Sequence, residues 1–245
     1  MTLDVFAYGL ASVLVVSAIS LVGILAIPAK SKNLIYPVSF AAGGLFGDSF
    51  IHLLPQTIEM GFTGATPVYI LSGIVTMFVV EKIIHWHHSH GRPGPNAHIK
   101  PFVFMNLIGD GVHNFIDGLV IGASYLVNVP LGVATTLAVV FHEIPQEIGD
   151  FGVLLKGGVN RGKAIMLNLF SALAAVAGFL VSMAISGYIE GFVSIMVPFT
   201  IGSFVYIAGS DLIPELHKEK SDKSAMQLLS FVAGIAVMYL LLLVE

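Results

Sequence analysis

The chain has 245 residues, of which 56% are hydrophobic and 11% charged, with a mean hydropathy of +0.90. Soluble domains carry about 25% charged residues, so an ordinary water-facing domain is excluded, and a net charge of −4 with this distribution gives no reason to expect a nucleic-acid partner. The absence of cysteine removes disulfides, thiolate metal ligands and cysteine nucleophiles together.

A helix that crosses a bilayer needs roughly 20 mostly apolar residues to span a hydrocarbon core about 30 Å thick. By that measure the sequence predicts an all-α integral membrane protein, a single transmembrane domain over 1–245. Its eight spanning helices form a bundle with internal pseudo-symmetry, at about 4–27, 34–55, 67–85, 101–126, 130–155, 163–188, 192–213 and 225–244. The first run has no basic flank at Met1 to Phe6, so it is expected as a spanning helix and not as a cleaved signal peptide. Helix two contains Gly47-Asp48-Ser49-Phe50-Ile51-His52-Leu53-Leu54-Pro55, and helix seven echoes it with Gly209-Ser210-Asp211-Leu212-Ile213-Pro214-Glu215. After helix three comes a Gly- and Pro-rich cytoplasmic loop, residues 86–100. Together with His85 at its start, it holds His87, His88, His90 and His98 as a weak metal-capturing group.

Basic residues sit only in alternate connections: Lys30 and Lys32, then Lys82, Arg92 and Lys100, then Lys156, Arg161 and Lys163, then Lys218, Lys220 and Lys223. They are all 11 of the chain's Lys and Arg residues. The other connections and both ends carry Asp4, Glu59, Glu190 and Glu245 instead. Because cytoplasmic loops collect Lys and Arg, this alternation supports eight spans, places both termini outside and puts the His-rich loop in the cytoplasm.

Helices four and five carry polar residues that a lipid-facing helix would not tolerate. Asp110, His113, Asn114 and Asp117 follow the i, i+3, i+4, i+7 rule and share one face; Glu143, Gln146, Glu147 and Asp150 repeat the spacing, with His142 at the edge. An ionised side chain at mid-bilayer costs about 2.5–3.5 kcal/mol on insertion scales. A lone intramembrane His is usually a hydrogen-bonded structural residue, but two His converging with several acids and amides on two antiparallel helices match a metal site. Imidazole nitrogen with carboxylate oxygen suits zinc and comparable divalent ions. Pro145 frees a carbonyl near Phe141 to line a cavity. Asp48 and His52 are expected on the entry side. Glu147, Asp150, Asp110 and Asp211 are expected as a release ladder toward the basic loops.

These motifs, His113-Asn114-Phe115-Ile116-Asp117-Gly118 and His142-Glu143-Ile144-Pro145-Gln146-Glu147, resemble those of the ZIP (Zrt- and Irt-like) metal transporters. The stretches around Asp48 and Asp211 agree, so the resemblance covers essentially the whole chain. It implies a non-enzymatic, multi-pass protein of a cell membrane, the cytoplasmic membrane if prokaryotic, that carries divalent metal toward the cytosol, with a homodimer as its assembly. It implies a binuclear centre whose first site uses His113, Asp117, His142 and Gln146, and whose second uses Asn114, Asp117 and Glu143. Family members usually have a histidine where this chain has Gln146, whose amide oxygen is a harder and weaker ligand. Fe2+, Mn2+ and Cd2+ therefore stand beside Zn2+ as substrates. Two other readings are an intramembrane zinc-dependent hydrolase, since His142-Glu143 begins a His-Glu-x-x-His motif that lacks its second His, and a metal sensor without flux. Deleting residues 87–98 is expected to leave the order of preference among zinc, iron, manganese and cadmium unchanged in competition uptake assays. An altered order would make the loop part of the selective path.

Overall fold

The computed structural model describes residues 3–21, 27, 33–90, 99–219 and 223–242. These form eight helical rods and, among the described residues, no strand. In chain order they are α1 (Leu3–Ile19), α2 (35–59), α3 (Thr66–His90), α4 (Pro101–Val127), α5 (Val129–Lys156), α6 (Arg161–Ala184, bent at Leu173), α7 (189–217) and α8 (Ser224–Leu241). The starts of α4, α5 and α6 have local causes. Pro101 and Pro130 sit in first turns, where a missing N–H leaves nothing unsatisfied. Asn128 and Asn160 accept the N–H of Leu131 and Lys163, each at 2.9 Å.

Two rods are not uniform. α2 opens into a π-helical turn at Asp48–Leu53 and α7 into another at Ile207–Leu212. Each precedes a proline, Pro55 or Pro214, in the first turn of the α-helical stretch that follows. A proline ring clashes with the carbonyl four residues back and cannot donate to it, so the turn ahead of it widens to i→i+5 bonding. The echo between helices two and seven in the sequence is thus an echo of backbone form. α3 runs on to His90, past the end expected at residue 85. Nothing in His85-Trp86-His87-His88-Ser89-His90 breaks a helix, and the first breakers are Gly91 and Pro93. His85, His87, His88 and His90 therefore lie on helical backbone, while His98 lies outside the described residues.

Burial separates inner rods from outer ones. Only 11% of the apolar span of α3 and 17% of that of α8 are buried, against 56% in α7. The exposed faces of the outer rods carry Val68, Leu71, Val75 and Phe78 on α3, and Leu228, Leu229, Val232 and Leu240 on α8. Such apolar surface suits lipid and not water. Among the described residues four helical segments, in α3, α6, α7 and α8, are long and apolar enough to cross a membrane by length and composition.

Among the described residues three pairs of rods approach closely enough for backbone to touch backbone, each through two reciprocal glycines. A Cβ on Gly118 of α4 would lie 1.9 Å from the Ala175 carbonyl oxygen of α6, and one on Gly178 would lie 1.9 Å from that of Phe115. Gly43 and Gly234 join α2 to α8 in the same way, and Gly73 and Gly202 join α3 to α7. Small residues of this kind are what lets helices associate in lipid, where no hydrophobic force drives them together. α4 and α5, which carry the polar stripes, pack directly on each other.

At one end of the bundle the basic connections meet. The Lys100 ammonium and Glu215 are paired, with Lys218 a second partner of Glu215 at 2.8 Å. Lys156 pairs with Glu219, which Lys223 also reaches at 3.0 Å. Those two lysines hold the Glu219 carboxyl down at about 2. Arg161 donates to the Ile27 carbonyl at 2.7 Å, and the Lys100 amide to that of Gly157 at 2.9 Å. We call this the basic end. Gly118→Ala is expected to destabilise the protein by about 1–3 kcal/mol through forced separation of α4 from α6. Gly64→Ala, where a Cβ would meet open space, should leave unfolding in detergent unchanged. Equal melting of both variants would remove the glycine contact as a cause.

Candidate metal centre

The two polar stripes converge in the middle of the bundle. Nε2 of His113 lies 3.3 Å from Oδ2 of Asp117 and 3.4 Å from Oε1 of Glu143, and Nε2 of His142 lies 3.5 Å from the same Asp117 oxygen. One ligand atom from each of these four residues falls within 4.8 Å of all the others. For metal–ligand bonds of about 2.0–2.1 Å, a tetrahedral site has edges of about 3.3–3.4 Å. Three edges of the cluster thus have close to the length that a small tetrahedral dication would set.

The bonding of these atoms points the same way. His113 is 1% exposed and Glu143 1%, with Asp117 at 6%. Yet His113 Nδ1 and Nε2, Asp117 Oδ2, His142 Nε2 and Glu143 Oε1 are all buried without a hydrogen-bond partner. Buried polar atoms are nearly always satisfied, and a cluster of them unsatisfied around one point is what a cation would complete. The imidazole rings of His113 and His142 stand edge to face with centroids 5.4 Å apart, and Phe204 of α7 closes on His113 at 4.9 Å.

The surroundings are asymmetric. Away from the basic end, a cavity of about 270 Å³ reaches the cluster, lined by Asp48, His52, Gln56, Glu59, Asp117 and His142. A wider groove of about 830 Å³ shares Gln56 and Val120 with it and runs between the end of α4 and the start of α7. Toward the basic end the neighbouring pocket is small, about 10 Å³, among Asn106, Asp110, Gln146, Asp150, Phe204 and Ile207. A space of that size holds at most one water.

The remaining residues singled out from sequence distribute around this centre. Asp48 opens the π turn of α2, is 1% exposed, and leaves both carboxylate oxygens without a partner beside the cavity. His52 donates Nε2–H to the Met238 carbonyl at 2.8 Å, which fixes its tautomer, and its ring lies 6.2 Å from that of His142. Asn114 donates to Asp110 Oδ1 at 2.8 Å, while its own Oδ1 is unpartnered. Gln146 lines the small inner pocket, and among the His, Asp and Glu side chains the fourth atom meeting His113, Asp117 and His142 belongs to Glu143. Glu147 accepts from Asn168, and Asp150 from Asn106. Asp211 lines neither the cavity nor the inner pocket; its charged neighbour is Glu81 of α3, which also accepts from Tyr206. It sits within the π turn of α7, where the wider spacing changes the phase of the residues that follow.

Three polar residues with no role in the sequence reading belong to these surroundings: Asn106, Asn168 and Ser171. Asn106 lies four residues before Asp110 and extends the helix-four stripe by one turn. Asn168 and Ser171, at i and i+3, are a polar pair on one face of α6. Both signals were there to be read from spacing alone.

A family profile described as ZIP zinc transporter matches residues 3–101 and 89–242. The zinc transporter zipt-7.1 of Caenorhabditis briggsae is 30% identical over all of this chain and 81% of its own length. The zinc transporter ZIP13 of Pongo abelii is 35% identical over 83% of this chain, which spans 65% of that relative. The zinc transporter SLC39A7 of Mus musculus is 29% identical over 98% of this chain and 70% of its own length.

Cobalt(II) titrated into the purified protein is expected to give the intense visible bands of tetrahedral coordination. His113→Ala or Asp117→Ala should weaken binding by more than about 100-fold, since even outer-shell changes cost up to that much. Cobalt spectra unaltered by both substitutions would dismantle the cluster.

Proposed function

Because the chain belongs to the ZIP zinc transporter family, we propose that it carries zinc across a membrane through the cluster of His113, Asp117, His142 and Glu143. The observation that carries this reading is the group of buried, unpartnered ligand atoms at tetrahedral spacing in the middle of a multi-pass helical bundle. Asp117 and Glu143 together offer two negative charges, which balance a dication and let it occupy a low-dielectric interior without net charge. The two imidazoles add neutral nitrogen ligands of the kind zinc favours. A second ion on the inner side would draw on Asn114, Glu143 and Gln146, which makes the centre binuclear with oxygen ligands at its inner half. Oxygen ligands are less selective than imidazole, so iron, manganese and cadmium are further substrates on this reading.

The basic end faces the cytoplasm in this proposal, as the placement of Lys and Arg favours. The 270 Å³ cavity is then the extracytoplasmic entrance. An ion enters past Glu59, His52 and Asp48, exchanges its hydration shell for the four ligands, and waits above the closed inner pocket. Movement inward needs Phe204 and Ile207 of α7 to withdraw from α4. It also strains the ion pairs that tie Lys100 and Lys156 to α7 and to the stretch after it. Release follows when the ligands loosen or take up protons, since imidazole and carboxylate bind metal only when deprotonated. Glu143 serves here as a ligand and not as the general base of a hydrolase. We expect Asp117→Ala and His113→Ala each to abolish uptake of radiolabelled zinc into reconstituted vesicles. Parental uptake in both would refute the assigned site.

A further inference from the structure

Between the cluster and the basic end, three buried carboxylates lie on α4 and α5, and among the described residues none of them has a lysine or arginine partner. Asp110 is 4% exposed, Glu147 0% and Asp150 5%. Each is held by an uncharged donor. Ser171 Oγ and Asn114 Nδ2 donate to the two oxygens of Asp110, Asn168 Nδ2 donates to Glu147 Oε2, and Asn106 Nδ2 donates to Asp150 Oδ1 at 2.9 Å. The carboxylates of Glu215 and Glu219 at the basic end are treated differently, since each is met by two lysines.

The contrast has a physical meaning. A lysine beside a carboxylate supplies the opposite charge itself and repels an arriving dication. An amide or hydroxyl fixes the direction of the carboxylate and leaves its charge available. Glu147 Oε1, Asn168 Oδ1 and Asn114 Oδ1 are left over in this region, all buried and without a donor. Oxygen atoms of that kind suit a hard, partly hydrated divalent cation. The donors come from two places: Asn106 and Asn114 from α4 itself, and Asn168 and Ser171 from α6. The glycine contact between α4 and α6 brings the second pair within reach.

We propose that Asn106, Asn168 and Ser171 are positioning residues that hold Asp150, Glu147 and Asp110 as successive oxygen stations for a divalent cation leaving the cluster. The inference rests on the transport reading above and extends it to α6, which contributes no ligand to the cluster. α6 on this view is the wall that aims the route.

The test separates passage from binding. Zinc turnover is measured in vesicles, and cobalt absorption reports the His-containing cluster in the same preparations. Asn168→Leu and Ser171→Ala are expected to lower turnover about tenfold, as loss of a buried hydrogen bond allows, while cobalt affinity stays within about twofold of the parent. Ser171→Thr, which keeps the hydroxyl donor, should restore turnover. Parental turnover in either variant that still binds cobalt overturns the proposal, and so does a loss of cobalt binding in step with turnover in Ser171→Ala. If Asn168→Leu does not fold, the Ser171 pair decides alone. Parental uptake in His113→Ala is a separate result, and it would overturn the cluster reading instead.

Discussion

A carboxylate inside a bilayer has no water to solvate it, and the bundle meets that constraint in three ways that vary with depth. At the basic end Glu215 and Glu219 take lysines, whose long stems also reach the surface. One layer deeper, Asp150, Glu147 and Asp110 take amides and a hydroxyl. At the centre Asp117 and Glu143 face imidazole nitrogens, and each keeps one buried oxygen, Oδ2 and Oε1, without a hydrogen bond. Electrostatic compensation by protein falls away toward the middle, where a dication can supply it. Everything else in the fold serves to bring the helices that hold these groups to one place.

Backbone irregularity has a share in that. The π turns before Pro55 and Pro214 lie in the two rods that flank the α4–α5 centre, and both turns carry an aspartate. In α2 the turn presents Asp48 to the 270 Å³ cavity; in α7 it leaves Asp211 outside both that cavity and the inner pocket. The glycine contacts supply the complementary property, rigidity, by letting α2 meet α8, α3 meet α7 and α4 meet α6 at backbone distance. A bundle so divided has tight pairs and looser seams between them. The seam between α4 and α7 is open as a groove at one end and closed by Phe204 and Ile207 at the other.

Much of the site was legible without coordinates. His113 and Asp117 are one turn apart on a helix, so their proximity follows from spacing alone. His142 and Glu143 are adjacent in sequence and point in different directions, and their joint arrival at the same cluster depends on where α5 crosses α4. Gln146 shares the stripe of Glu143 and lines the inner pocket. Asn168 and Ser171 could be recognised as polar residues in an apolar helix, but not assigned to Glu147 and Asp110. That assignment requires knowing that α6 packs on α4.

The sequence by itself determined the helical class, the membrane environment and the two faces that carry the ligands. These depend on hydropathy and on a period of 3.6 residues, which are properties of single segments. Only the tertiary structure decided that Glu143 reaches the cluster of His113, Asp117 and His142, that α6 supplies donors to the inner carboxylates, and that Asp211 lines neither the cavity nor the inner pocket. Those outcomes depend on helix crossing, on the phase change at two π turns and on glycine contacts between distant segments, none of which a local period can encode.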